Sequence, residues 1–338
     1  MMLWAWWACT QGTTHDGTPT PTDTHTGTTS ETAGPQTHTG TTSMHTDTPE
    51  THTGTSSHTG TSPTLDCEAL PTGRLPAREL RGGLSASEDF AFDDDGHLIS
   101  SDGARFLLQD YPPGAITPFA SSSSDPSSMR MLPDGGLVVA NIDTQTLYRI
   151  RLSDGATSVV VGGFGYATGI DVHPDGHVFI GDGGLVKRID PSTGQTQVVV
   201  DLADHGLRGI INGLSFDVAR DALYLGIGRD LMRFELDASW HVVGQPSLVH
   251  GFTGVGELLG LGVDACDNLY ALFGGAVVRF RGGTGAPEVL ASGGAFTTNL
   301  QWGSGHGGWD QRKLYVVDRG GDPPFVEIDV DVPSKPYW

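Results

Sequence analysis

Six residues, each standing just before a short apolar run, could between them line a ligand site. They are Glu88 in SEDFAFD, Ser127 in SSMRMLPD, Thr168 in TGIDVHPD, Asn212 in NGLSFD, Leu259 in LGLGVD, and Thr298 or Asn299 in TNLQWG. A carboxylate, hydroxyls and carboxamides converging on one cavity could hold a polar ligand by hydrogen bonds. Leu259 breaks the series, because leucine offers neither a lone pair nor a base. The contrast is sharp in two look-alike stretches, INGLSFDVARDALYL and ELLGLGVDACDNLYAL, where Asn212 and Leu259 each precede a glycine. Two further side chains, His205 in LADHGLRG and His306 in GSGHGGW, fall in loops, where a histidine is ordinarily just exposed. The glycines from Gly162 to Gly169 are read as turn glycines, since no helix follows to make a phosphate cradle. No serine nucleophile elbow lies in an α/β surround.

The elements that must position these residues repeat. Turns at DDDG (93–96), PDGG (133–136), PDGH (174–177), ARDA (219–222), CDNL (266–269) and DQRK (310–313) recur, each between two strand-like runs. An interval of about 43 residues is that of one propeller blade. A second strand follows each turn, a third often ends in an Arg-apolar pair such as TLYRIR or LMRFEL, and a variable fourth closes most repeats. With abundant Gly and Pro and few helix-favouring runs, the fold class is all-β, a six-bladed β-propeller. The last repeat has only three strands, NLQWGSG, KLYVVDR and FVEIDVD, so PARELRG (76–82) is expected to supply its outer strand and join the two ends of the chain in one sheet. A β-sandwich would not require so regular a repeat.

Before the propeller the composition changes. Residues 1–9 end in an apolar run closing on Ala8–Cys9, similar to a bacterial lipoprotein box, and are read as the remnant of an export signal with the true start upstream. Residues 10–66 are a Thr/Ser/Gly/His/Pro-rich stalk with near-repeats of THTGTTS. Such a segment has almost nothing to bury and is expected to be disordered. Six of the 13 histidines lie there without Cys or carboxylate partners at ligand spacing, which makes the stalk a solvated spacer rather than a metal site. Residues 67–338 form the propeller domain. In an exported chain Cys67 and Cys266 are expected to be bridged, and Cys9 to be acylated. Lys+Arg 19 against Asp+Glu 40, a formal net charge of −21, argues against nucleic acid as a partner.

INGLSFDVARDALYLG, LLGLGVDACDNLYAL and SEDFAFDDDGHL make residues 75–332 resemble the gluconolactonase/regucalcin (senescence marker protein) family of six-bladed propellers. The Thr-rich stalk and WGSG-x-GGW are also similar to lipoprotein-like propellers of myxobacterial type. The resemblance implies one divalent cation in the channel, held by a Glu, one or two Asn and an Asp that also activates water. Glu88 then matches the Glu and Asn212 the principal Asn, Thr168 stands for a further Asn, and Leu259 replaces the Asp. Glu257, two residues upstream, would reach in only if the strand shifted. The expectation is therefore an exported, lipid-anchored lipoprotein of the outer membrane or cell surface, otherwise periplasmic or secreted, and monomeric. It would use Glu88, Ser127, Thr168, Asn212, Leu259 and Asn299 to bind a small-molecule, carbohydrate or protein ligand at the channel mouth, with no catalytic residue. A divalent cation, calcium or zinc, would be held weakly at best by Glu88 and Asn212. The alternative is a metal-dependent lactone hydrolase with an altered site.

Overall fold

A computed structural model describes residues 65–82, 84–85, 88–292, 297–319 and 321–335. Cys9 and residues 10–64 of the stalk lie outside the described residues.

Twenty-four strands among the described residues form six four-stranded antiparallel sheets. The innermost strands, blade I to blade VI, are Ala91–Phe92, Ser128–Met131, Ala167–Val172, Ile211–Asp217, Leu258–Val263 and Thr297–Trp302. Blade VI is completed from the other end of the chain. Its own strands are Thr297–Trp302, Lys313–Asp318 and Phe325–Asp329, and Ala77–Glu79 pairs antiparallel with the last of these, Ala77 opposite Ile328. This is the predicted closure, and it leaves the ring without a free seam.

The apolar side chains form six clusters, one between each pair of neighbouring blades. A blade therefore buries both of its faces, and its second strand reads as a continuous apolar run; Gly136–Asn141 and Ala222–Ile227 are buried throughout. With the core lying between the blades, the axis of the ring remains a channel. Cys67 and Cys266 are disulfide-bonded, with Cα atoms 5.5 Å apart, tying the segment that enters the ring to blade V.

Candidate ligand-binding site

The register of the innermost strands explains which side chains reach the channel. In blades III, IV, V and VI the pairing of the first and second strands slips at one place, between Ala167 and Ile170, Ile211 and Gly213, Leu258 and Leu261, and Thr297 and Asn299. The bulged positions contain Thr168, Asn212, Leu259 and Thr298, and a bulge turns its extra residue out of the ladder. The glycine after the bulged residue in blades III, IV and V has a separate cause. A Cβ on Gly213 would sit 2.4 Å from the Leu259 carbonyl oxygen, and one on Gly260 2.8 Å from the Leu300 nitrogen. These glycines let consecutive innermost strands touch backbone to backbone and crowd the preceding side chains toward the axis.

A cavity of about 200 Å³ opens there, lined by Glu88, Ser127, Thr168, Asn212, Leu259, Thr298 and Asn299 together with Asp89, Arg130, Tyr166 and Glu257. The structure thus brings all the sequence-predicted positions together. In blade VI it decides between the two neighbours: Thr298 is the bulged residue, equivalent to Asn212, while Asn299 takes the glycine's place and turns its amide to Asp89. His205 lies elsewhere, packed edge-on to Phe234 at 5.5 Å, and His306 is exposed in its loop.

Most polar groups of the cavity are already engaged. The Ser127 hydroxyl donates to the carbonyl oxygens of Ala140 (2.9 Å) and Ala167 (3.1 Å), and that of Thr168 to Ile211 (2.6 Å), so each gives its hydrogen to backbone and keeps acceptor capacity for a ligand. Asn212 Nδ2 donates to Glu257 Oε2 at 2.8 Å. Arg319, from the loop after the third strand to enter blade VI, donates to Glu88. Burial pushes the Glu88 carboxyl above its ordinary range, outweighing the pull of Arg319. Burial, with Glu88 and Glu257 both nearby, raises the Tyr166 phenol, which stays a donor.

The floor is a charged knot that the sequence reading did not include. Asp89, 2 % exposed, accepts from the backbone nitrogens of Phe90 (2.7 Å) and Met129 (2.8 Å), from Arg130 Nη1 (2.9 Å) and from Asn299. It stitches blades I, II and VI at once. The signal was in SEDFAFD and SSMRM, where Asp89 and Arg130 interrupt runs destined for the axis. Arg130 and Asp89 add charge to the depth of the channel beyond the carboxylate, hydroxyls and carboxamides expected from the sequence. Blade V presents more than Leu259, because the exposed Glu257, just ahead of the slip between Leu258 and Leu261, lines the same cavity.

A divalent cation, which the family resemblance implies, does not fit this donor set. Of the two assigned ligands, Glu88 is held by a guanidinium that would repel the ion, and Asn212 donates its amide nitrogen to Glu257 and has only its single carbonyl oxygen to offer; among the described residues no group of three His, Cys, Asp or Glu side chains could hold a metal ion.

No family model matches the chain, and no curated relative does. Solved structures share the architecture. A putative gluconolactonase superposes with a TM-score of 0.63 at 20 % identity, covering 79 % of this chain and 99 % of its own. Regucalcin of Agrobacterium tumefaciens, described as a calcium-binding protein, gives 0.62 at 18 %, covering 78 % and 97 %. An auxiliary nutrient binding protein from Bacteroides thetaiotaomicron gives 0.58 at 12 %, covering 75 % and 70 %. The chain has the fold of the gluconolactonase- and regucalcin-like propellers.

Proposed function

We propose that this propeller is a binding module whose channel mouth takes a small, uncharged, hydroxyl-bearing ligand of carbohydrate type without turning it over. The observation that carries the reading is that two of the three acidic groups at the mouth are ion-paired within the chain, Glu88 with Arg319 and Asp89 with Arg130, while the exposed Glu257 accepts from the neutral amide of Asn212. An anion would meet the charge of Glu257, and a cation at Glu88 or Asp89 would have to displace a guanidinium. A ligand hydroxyl can donate to the oxygens of Ser127 and Thr168, whose hydrogens are spent on backbone, while Tyr166 offers a donor. Leu259 and Ile142 supply apolar wall. At about 200 Å³ the cavity is below the usual range for drug-sized ligands, which points to a single ring. The test is calorimetric titration with monosaccharides and with gluconolactone, on the intact chain and on Thr168→Val. Saccharide binding weakened by Thr168→Val supports the reading, and binding indifferent to it opposes the reading.

A second reading, a lactone hydrolase, draws on Glu257, a carboxylate in the mouth that could act as a base once released from Asn212. Two of the solved likenesses are described as gluconolactonases. Gluconolactone turnover abolished by Glu257→Gln would establish it.

We further propose that Cys9 is acylated and that residues 10–66 tether the propeller to a membrane surface as a monomer. The Ala8–Cys9 junction and the stalk composition support this. Cys9→Ser should move the protein from the membrane to the soluble fraction; a soluble wild-type protein would sink the proposal.

A further inference from the structure

The channel has a second mouth, and the chemistry there differs from that at the first. A cavity of about 500 Å³ opens at the opposite ends of the innermost strands, lined by Phe92, Ser215, Gln301, Trp302, Gln311 and others. Only Arg130 and Leu261 line both cavities. Arg130 is fixed between them by Asp89 and by its bond to the Met129 carbonyl at 2.7 Å, so the two chambers are separated by a guanidinium that is itself tied down.

The walls of the second chamber are built rather than incidental. The Trp302 indole lies so close to blade V that a Cβ on Gly262 would meet its ring at 2.7 Å, and its Nε1 donates to the Val332 carbonyl at 2.9 Å. Val332 begins a strap that crosses blade V. The Ala265 nitrogen donates to the Pro333 carbonyl (3.0 Å), the Lys335 nitrogen donates to that of Val263 (2.9 Å), and Ser334 bridges Asp264. Lys335 Nζ pins the strap's end between Asp217 (2.6 Å) and Asp267 (2.5 Å). Pro333 and Ser334 line the chamber. An aromatic wall held by its edge and a strap held at both ends are preorganised, so a ligand would not have to order them.

We infer that this second mouth is a separate binding site for a neutral saccharide larger than the one the first mouth admits, of disaccharide size. The ring carbons would lie against Phe92 and Trp302, and the hydroxyls against Gln301 and Gln311. Carboxamides both donate and accept, as sugar hydroxyls do; of the charged groups that line the chamber, Arg130 and Asp171 oppose one another, and Asp94 is exposed, where solvent screens it.

The test is calorimetric titration of the full chain with maltose as the probe. A Kd between about 10 µM and 1 mM is expected, the range that ligand efficiency allows a disaccharide. Gln311→Ala, in an exposed turn, should weaken binding about fivefold, and Gln301→Ala about tenfold, while Thr168→Val at the first mouth leaves it unchanged. Because Gln301 also donates to the Phe90 carbonyl, its variant is checked by thermal unfolding, and Gln311→Ala decides if it is destabilised. No heat with maltose, affinity indifferent to Gln311→Ala, or affinity lost on Thr168→Val would each overturn the inference. The last of these leaves the first mouth as a binding site and removes only the second.

Discussion

Restoring a cation site should take two changes, one to add charge and one to remove it. Leu259→Asp puts a carboxylate beside Glu257 and Asn212, and Arg319→Gln frees Glu88. Arg319 is 53 % exposed, so the interaction is better judged near the dielectric of water than of the interior. One unit charge about 6 Å from a divalent ion is then worth about 1.4 kcal/mol, or about tenfold in Kd. Each substitution alone should tighten calcium binding about tenfold and the pair about a hundredfold. Starting from millimolar, that brings the double variant to the order of 10 µM, within the span of known calcium sites. Calorimetry at fixed ionic strength reads the affinities. The unfolding midpoint of the double variant should also rise with calcium, by mass action. Micromolar calcium binding by the unaltered protein would refute the reasoning, and so would a double variant no better than Arg319→Gln, because Leu259 would then not face the site.

Asp89→Ala should lower stability by about 2 to 4 kcal/mol in urea titration, since it leaves the part-buried Arg130 without its carboxylate and strips the buried Met129 nitrogen of its acceptor. Cys67→Ser with Cys266→Ser should cost about 2 to 5 kcal/mol, chiefly by freeing an unfolded chain closed over a separation of 199 residues, and reductant should then no longer affect the unfolding curve. Glu327, in the closing blade, is pushed up by burial but pulled further down by donation from Arg78, Lys313 and Tyr111, to a net value below its ordinary 4.5. The unfolded chain therefore binds this proton first, and stability should fall as pH drops below about 4.5. Glu88 and Asp89 are raised and act in the opposite sense, so the check is the difference between wild type and Glu327→Gln, which should shrink as pH falls through that window.

The ring was readable because each blade repeats a local rule, a turn between two runs that must bury both faces. The closure was readable because a propeller missing one strand has an unpaired edge, and PARELRG stood where a partner was needed. The line of residues at the mouth was legible for a related reason. In blades III, IV and V the residue before the glycine of the innermost strand sits in the bulge and is turned inward, and the glycine marks where the next innermost strand comes close. Blade VI bulges at Thr298 without such a glycine; Asn299 fills the position, and its amide meets Asp89 instead of solvent.

What stayed hidden depends on contacts between blades that are distant in sequence. Arg319 and Glu88 are 231 residues apart, Asn212 and Glu257 are 45 apart, and neither pair follows from strand periodicity. These pairings decide the electrostatics of the mouth. A carboxylate on the innermost strand invites a cation only while it is free. At Glu88 a long side chain from the last blade reaches the first across the seam that closes the ring. The same topology that closes the ring therefore brings a positive charge to the carboxylate at the channel mouth. A leucine at 259 and a guanidinium at Arg319 act in one direction, each making a divalent ion less at home. For that reason neither Leu259→Asp nor Arg319→Gln should recover tight calcium binding alone.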